Sequence, residues 1–160
     1  MCEKRISQNL FFCAKGAIFA SCMKTENDAK SPRIVRIPAM RDCRGTLCVA
    51  DYESANLPFV PRRTFWITDV PKGQERGYHA HRTCDELLFA IRGSLKVDLT
   101  DSDGTRTFQL ECPDEGLLIP AMCWCRLHGF SADAVCVCLA SESYDESGYI
   151  NDIETFKANL

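Results

Sequence analysis

The sequence predicts an all-β domain, a small antiparallel barrel of the jelly-roll kind, and three observations carry that reading. Short alternating runs rich in β-branched and aromatic side chains recur at intervals of about ten residues. Glycine, proline and aspartate punctuate them. No long helical periodicities alternate with the runs, which argues against a parallel α/β sheet.

The elements follow in order. Residues 33–38 alternate apolar and charged side chains, and residues 45–50 follow a turn at 42–45. Residues 65–70 close at Pro71-Lys72-Gly73. Residues 86–91 stop at Arg92-Gly93, and residues 94–100 begin at once. Asp101-Ser102-Asp103-Gly104 has the composition of a tight hairpin turn, answered by residues 105–110. Residues 116–120 and 134–140 complete the set. Helical spacing shows only within residues 149–160, where Ile150, Ile153 and Phe156 lie at i, i+3 and i+6. The polar stretch 25–32 (TENDAKSP) reads as a linker. The expected organisation is an N-terminal arm and linker over residues 1–30 and one domain over residues 31–160.

A chain of 160 residues suits a single domain. Such a globule buries roughly 68–70% of its unfolded surface and needs no staple to fold. With 19 basic against 22 acidic residues, nothing draws in nucleic acid by counterion release. The apolar stretch 10–23 after Lys4 and Arg5 is too short to span a bilayer, and Lys15 interrupts it. Phe19-Ala20-Ser21-Cys22 matches a lipoprotein cleavage box only loosely. An amphipathic or strand-like arm on a cytoplasmic protein, without a membrane partner, is expected.

The 11 cysteines are an odd number with no C-x-x-C pair. Cys123 with Cys125, and Cys136 with Cys138, are spaced i, i+2, on one face of a strand each. Such neighbours rarely reach disulfide geometry without strain. They read as reduced thiols acting as small buried hydrophobes, with a soft-metal site or redox sensing as alternatives.

Chemistry concentrates between Gly73 and Gly93. His79 and His81 face the same side of a strand, and Glu86 follows five residues on. Two imidazoles and a carboxylate suit Fe, Mn, Ni or Zn; they equally suit proton transfer near neutral pH, or plain hydrogen-bonded lining of a barrel. The full pattern G-x5-H-x-H-x4-E-x6-G resembles the first motif of the cupins, which implies a double-stranded β-helix (jelly-roll) barrel with a short C-terminal helix. In the second motif region, Gly116-Leu117-Leu118-Ile119-Pro120 through Trp124-Cys125, Cys125 stands where the metal-binding cupins have their last histidine.

A closer resemblance spans residues 42–156. Asp42-Cys43-Arg44-Gly45-Thr46-Leu47, Arg63, Arg76-Gly77-Tyr78-His79-Ala80-His81-Arg82, Leu139-Ala140-Ser141, Tyr144-Asp145-Glu146, Tyr149-Ile150 and Phe156 arrive in sequence. This resembles the sugar 3,4-ketoisomerase family, the WxcM-like cupins acting on dTDP-4-keto-6-deoxyglucose. The resemblance implies metal-free, cofactor-free movement of a ketone between C4 and C3 through an enediol. It makes His79 and His81 the acid/base pair, and gives Arg76 and Arg63 to the diphosphate or enediolate oxygen. Arg44 is expected along the same cleft, and Tyr144 reads equally as core aromatic or ligand contact. It further implies a homodimer with exchanged N-terminal strands.

Several positions depart from the family. Glu86 stands in place of Gln, Cys125 in place of His or Arg, Phe65 and Trp66 in place of tyrosines, and Asn151 in place of Arg. Glu86 and Cys125 are expected to line the substrate pocket, with the carboxylate raising the pKa of both histidines. Trp124 reads as packing and His128 as exposed in a turn. Two further functions stay open: a non-catalytic nucleotide- or sugar-binding cupin, and a metal-dependent cupin using His79, His81 and Glu86.

Overall fold

A computed structural model describes residues 31–53 and 57–160; the arm and linker expected over residues 1–30 lie outside the described residues. The strands are β1 (Arg33–Arg36), β2 (Ala39–Asp42), β3 (Gly45–Cys48), β4 (Arg63–Ile67), β5 (Arg76–His81), β6 (Glu86–Arg92), β7 (Leu95–Asp101), β8 (Gly104–Leu110), β9 (Glu115–Ile119), β10 (Trp124–His128), β11 (Val135–Ala140) and β12 (Tyr149–Ile150). One short helix, α1 (Ile153–Lys157), ends the domain. Strand order is β1-β9-β6-β11-β4 in one sheet and β12-β5-β10-β7-β8 in the other, and β2 pairs with β3 as a separate ribbon. The strand pairs are antiparallel, so the all-β jelly-roll expectation holds.

Period-two alternation explains how β6 is buried on both sides. Leu88 and Ala90 point between the sheets, against Leu95, Val97 and Leu99 of β7. Leu87 and Phe89 point the other way, under Ile37, Leu57 and Leu118. A strand covered on both faces needs the continuous apolar run that Leu87 to Ala90 provides. The tight turn into β7 requires Gly93: its φ is +65°, and a Cβ there would stand 2.2 Å from Ser131 Oγ.

Every described cysteine is a free thiol, and Cys84, Cys123, Cys125, Cys136 and Cys138 are buried. Cys125, Cys136 and Cys138 sit among the leucines between the sheets, where burial pushes Cys136 up to about 12. These thiols act as small hydrophobes.

Several elements differ from expectation. The first strand stops at Arg36, two residues before Pro38 removes a ladder donor, and the chain resumes as β2. The run expected over 65–70 begins at Arg63 and stops at Ile67, ahead of Asp69 with φ 57°. The C-terminal helix is shorter than residues 149–160: Tyr149 and Ile150 add to β5 as a strand instead. α1 starts where the Asp152 carboxylate accepts the Thr155 N–H, and fully buried Phe156 anchors it 5.6 Å from the Trp124 ring. Trp124 is packing, as expected. His128 is no turn residue: it ends β10 with its side chain only 22% exposed, 3.1 Å from Asp98. Among the described residues no helix is long and apolar enough to cross a membrane.

Candidate active site

The site grows from an irregularity in β5. The β5–β10 register pairs Cys125 with His79 but Arg126 with Gly77, so Tyr78 is an extra, bulged residue. Gly77 and Tyr78 both have positive φ, +88° and 63°. Gly77 is needed twice over, because a Cβ there would also stand 2.6 Å from the Cys125 carbonyl oxygen. A surface clamp holds the bulge: Arg126 donates to both carboxylate oxygens of Glu75, at 2.9 and 2.5 Å, and the Tyr78 hydroxyl also donates to Glu75. Beyond the bulge β5 regains its alternation and aims His79 and His81 to one side, with ring centroids 5.2 Å apart and nearly perpendicular.

Three strands and the loop carrying Tyr144 meet these rings. Glu86, first residue of β6, brings Oε1 to 3.1 Å from His81 Nε2. Arg63, first residue of β4, lies 3.8 Å from the same oxygen. Its guanidinium sits over the faces of Phe65 and Tyr144, 5.3 and 5.6 Å from the centroids. Tyr149 of β12 packs 5.1 Å from the His79 ring and 4.4 Å from the His81 ring, and its phenol feels the Arg63 cation. Arg63, Glu86, His81, His79, Tyr144 and Tyr149 thus form one connected cluster.

Burial sets the electrostatics. Half-buried His79 has its pKa lowered, first by desolvation and then by His81, outweighing the opposing pull of Glu86. Glu86 does pull upward, as expected, but its effect is the smaller one, so the net shift of His79 is downward. Burial raises the Tyr149 phenol above its ordinary value. Cys125 is held well above the usual thiol range by burial and by Glu86, so the wall opposite His79 is neutral.

Three expected residues stand apart. Arg76 opens β5 on the exposed side of the bulge. Arg44 sits at the tip of the β2–β3 ribbon, paired with Asp42 at 2.6 Å, away from the cluster within this chain. Cys125 belongs to the core, and the tight group of His79, His81 and Glu86, whose donor atoms lie within 4.8 Å of one another, does not include it. Tyr149 is the residue that sequence reasoning missed, because a helical spacing was read where the chain forms β12. Its signal was its place beside Ile150, whose burial against Ala80 and Trp124 pins the strand.

Against this geometry, the family model described as WxcM-like, C-terminal (FdtA) matches residues 30–160. The chain belongs to the WxcM-like family. It is 35% identical over 125 residues to the TDP-4-oxo-6-deoxy-α-D-glucose-3,4-oxoisomerase of Aneurinibacillus thermoaerophilus, covering 78% of this chain and 89% of that protein. The structure of QdtA, a sugar 3,4-ketoisomerase from Thermoanaerobacterium thermosaccharolyticum in complex with TDP, superposes with a TM-score of 0.77 at 30% identity, over 80% of this chain and 93% of that one. WlaRB, a TDP-quinovose 3,4-ketoisomerase from Campylobacter jejuni, gives 0.76 at 32% identity, over 81% and 99%. An enzyme of the isomerase class follows from this membership.

Proposed function

We propose that this WxcM-like protein moves the ketone of a TDP-linked 4-keto-6-deoxy sugar from C4 to C3, without metal, using His79 and His81 as its acid/base pair. The observation that carries the reading is the cluster itself. Two imidazoles share one strand face beside a half-buried guanidinium and a phenol, in a chain whose relatives are 3,4-ketoisomerases.

The reaction needs a proton removed from C3, the electron pair held as a C3–C4 enediolate, and a proton returned at C4; the hydroxyl proton passes from O3 to O4, so nothing is gained or lost. His79 is the base. Its lowered pKa keeps it neutral at pH 7, with a lone pair to take the C3 proton. His81 exchanges the second proton. Arg63, half-buried beside both, stabilises the enediolate oxygen, and Tyr144 packs against the cation. Exposed Arg76 is left for the diphosphate, which guanidinium groups hold bidentately.

A metal-dependent reading has one observation in its favour, the His79–His81–Glu86 group. The donor types suit Fe or Zn, but the nearer Glu86 oxygen is already engaged by His81 and faced by the Arg63 cation. The arrangement therefore favours the metal-free reading. The test is incubation with TDP-4-keto-6-deoxyglucose and a chelator, followed by NMR identification of the 3-keto isomer. Its formation supports the proposal; loss of turnover with the chelator selects the metal reading, and saturable binding without turnover selects a binding protein.

The protein works as a cytoplasmic homodimer on this reading. Unpaired buried thiols suit a reducing compartment. The lone β2–β3 ribbon, with Met40 and Leu47 exposed, and outward-facing Trp66, 68% exposed, offer apolar surface for a second copy. Sedimentation analysis should give twice the monomer mass; a monomer at micromolar concentration would overturn this part.

A further inference from the structure

We propose that Glu86 is a positioning residue: its Oε1 accepts the Nε2–H of His81 at 3.1 Å, fixing that ring in one tautomer and orientation and leaving Nδ1 as its site of proton exchange. The inference rests on the ketoisomerase reading and takes Glu86 out of the groups that touch the sugar.

The contact is sheltered, since the His81 and Glu86 side chains are each only 8% exposed. The same oxygen faces Arg63, a permanent cation and so the natural partner of a carboxylate rather than of a carboxylic acid. A carboxylate only accepts hydrogen bonds, so the shared proton belongs to His81 Nε2. The ring is bounded on two further sides, by Tyr149 at 4.4 Å with planes tilted 59° and by His79 at 5.2 Å, edge-on at 81°. An imidazole enclosed by an acceptor, a phenol and a second imidazole has little room for another rotamer.

The geometry therefore divides the labour between two residues that look equivalent in sequence. His81 is tied to a charged group on β6, whereas His79 faces a core thiol in the paired strand β10. Carboxylate-held imidazoles gain catalytic power from a fixed tautomer, and losing that control in a triad costs on the order of 10⁴ in kcat.

The test uses the full chain labelled with 15N, because imidazole nitrogen spectra read the tautomer without turnover. His81 should show a protonated Nε2 in the wild type and in Glu86→Gln, whose amide oxygen still accepts. Glu86→Ala should lose that single tautomer, as should Glu86→Met if the alanine variant does not fold. With TDP-4-keto-6-deoxyglucose, Glu86→Gln should keep kcat within about tenfold of wild type, while Glu86→Ala should lose about a hundredfold with KM nearly unchanged. A purely structural Glu86 would lower thermal stability and leave the tautomer alone. The proposal is overturned if wild-type His81 carries its proton on Nδ1, or if Glu86→Ala keeps the wild-type spectrum. Absent wild-type turnover would sink the functional reading, yet the spectra would still decide the role of Glu86.

Discussion

Tyr149 and His81 face each other across the β12–β5 pairing, with their ring centroids 4.4 Å apart. The phenol spans the site, one side against both histidines and its hydroxyl within the field of Arg63. Tyr149→Phe keeps the ring and removes only the hydroxyl. A hydroxyl that hydrogen-bonds a charged group during turnover is worth about 1.5–3 kcal/mol, so kcat should fall roughly ten- to a hundredfold, and Tyr149→Ala further. Steady-state kinetics on both variants checks this; full activity in Tyr149→Phe would show that Arg63 needs no such support.

The pH dependence follows from His79. Its pKa is lowered by burial, so the neutral base prevails at pH 7 and kcat/KM should fall only on the acid side, with a midpoint below about 6.5. The same shift carries a stability consequence. The unfolded chain protonates first as pH drops, so the fold loses stability from about pH 6.5 downward until His79 itself protonates. Rate profiles and denaturant titrations across that range should move together.

The bulge makes Gly77 a sharp point of failure. A methyl group there meets the Cys125 carbonyl oxygen at 2.6 Å, in a backbone conformation that resists any side chain. Gly77→Ala should cost about 1–3 kcal/mol, read as a lower denaturation midpoint, and lose more activity than stability because His79 is aimed from this bulge.

Thiol chemistry separates surface from core. Exposed Cys43 should react with iodoacetamide in the native protein, while Cys136 and Cys138 react only after unfolding. Cys138→Ser puts a hydroxyl into the apolar interior and should destabilise by about 1–3 kcal/mol in denaturant titrations.

What could be read beforehand was whatever a local pattern dictates. The Leu87 to Ile91 run and the Asp101–Gly104 turn write their own strand and hairpin, and H-x-H spacing puts two imidazoles on one face. The bulge could not be read, since nothing in Arg76-Gly77-Tyr78 alone requires a left-handed tyrosine; the Glu75–Arg126 clamp that holds it comes from a strand some fifty residues away. Tyr149 was hidden because Ile150, Ile153 and Phe156 mimic a helix, when tertiary pairing with β5 claims the first of them. The direction of the His79 shift likewise depended on burial, which no spacing reveals.

The most direct measurement is proton NMR of TDP-4-keto-6-deoxyglucose in D2O with a chelator present, comparing wild type with His79→Asn. Wild type should exchange the C3 proton for deuterium and accumulate the 3-keto isomer; His79→Asn should bind the nucleotide sugar yet exchange at least about a hundredfold more slowly. Undiminished exchange in His79→Asn, or none in the wild type, would contradict the assignment of this histidine pair as the base that opens the reaction.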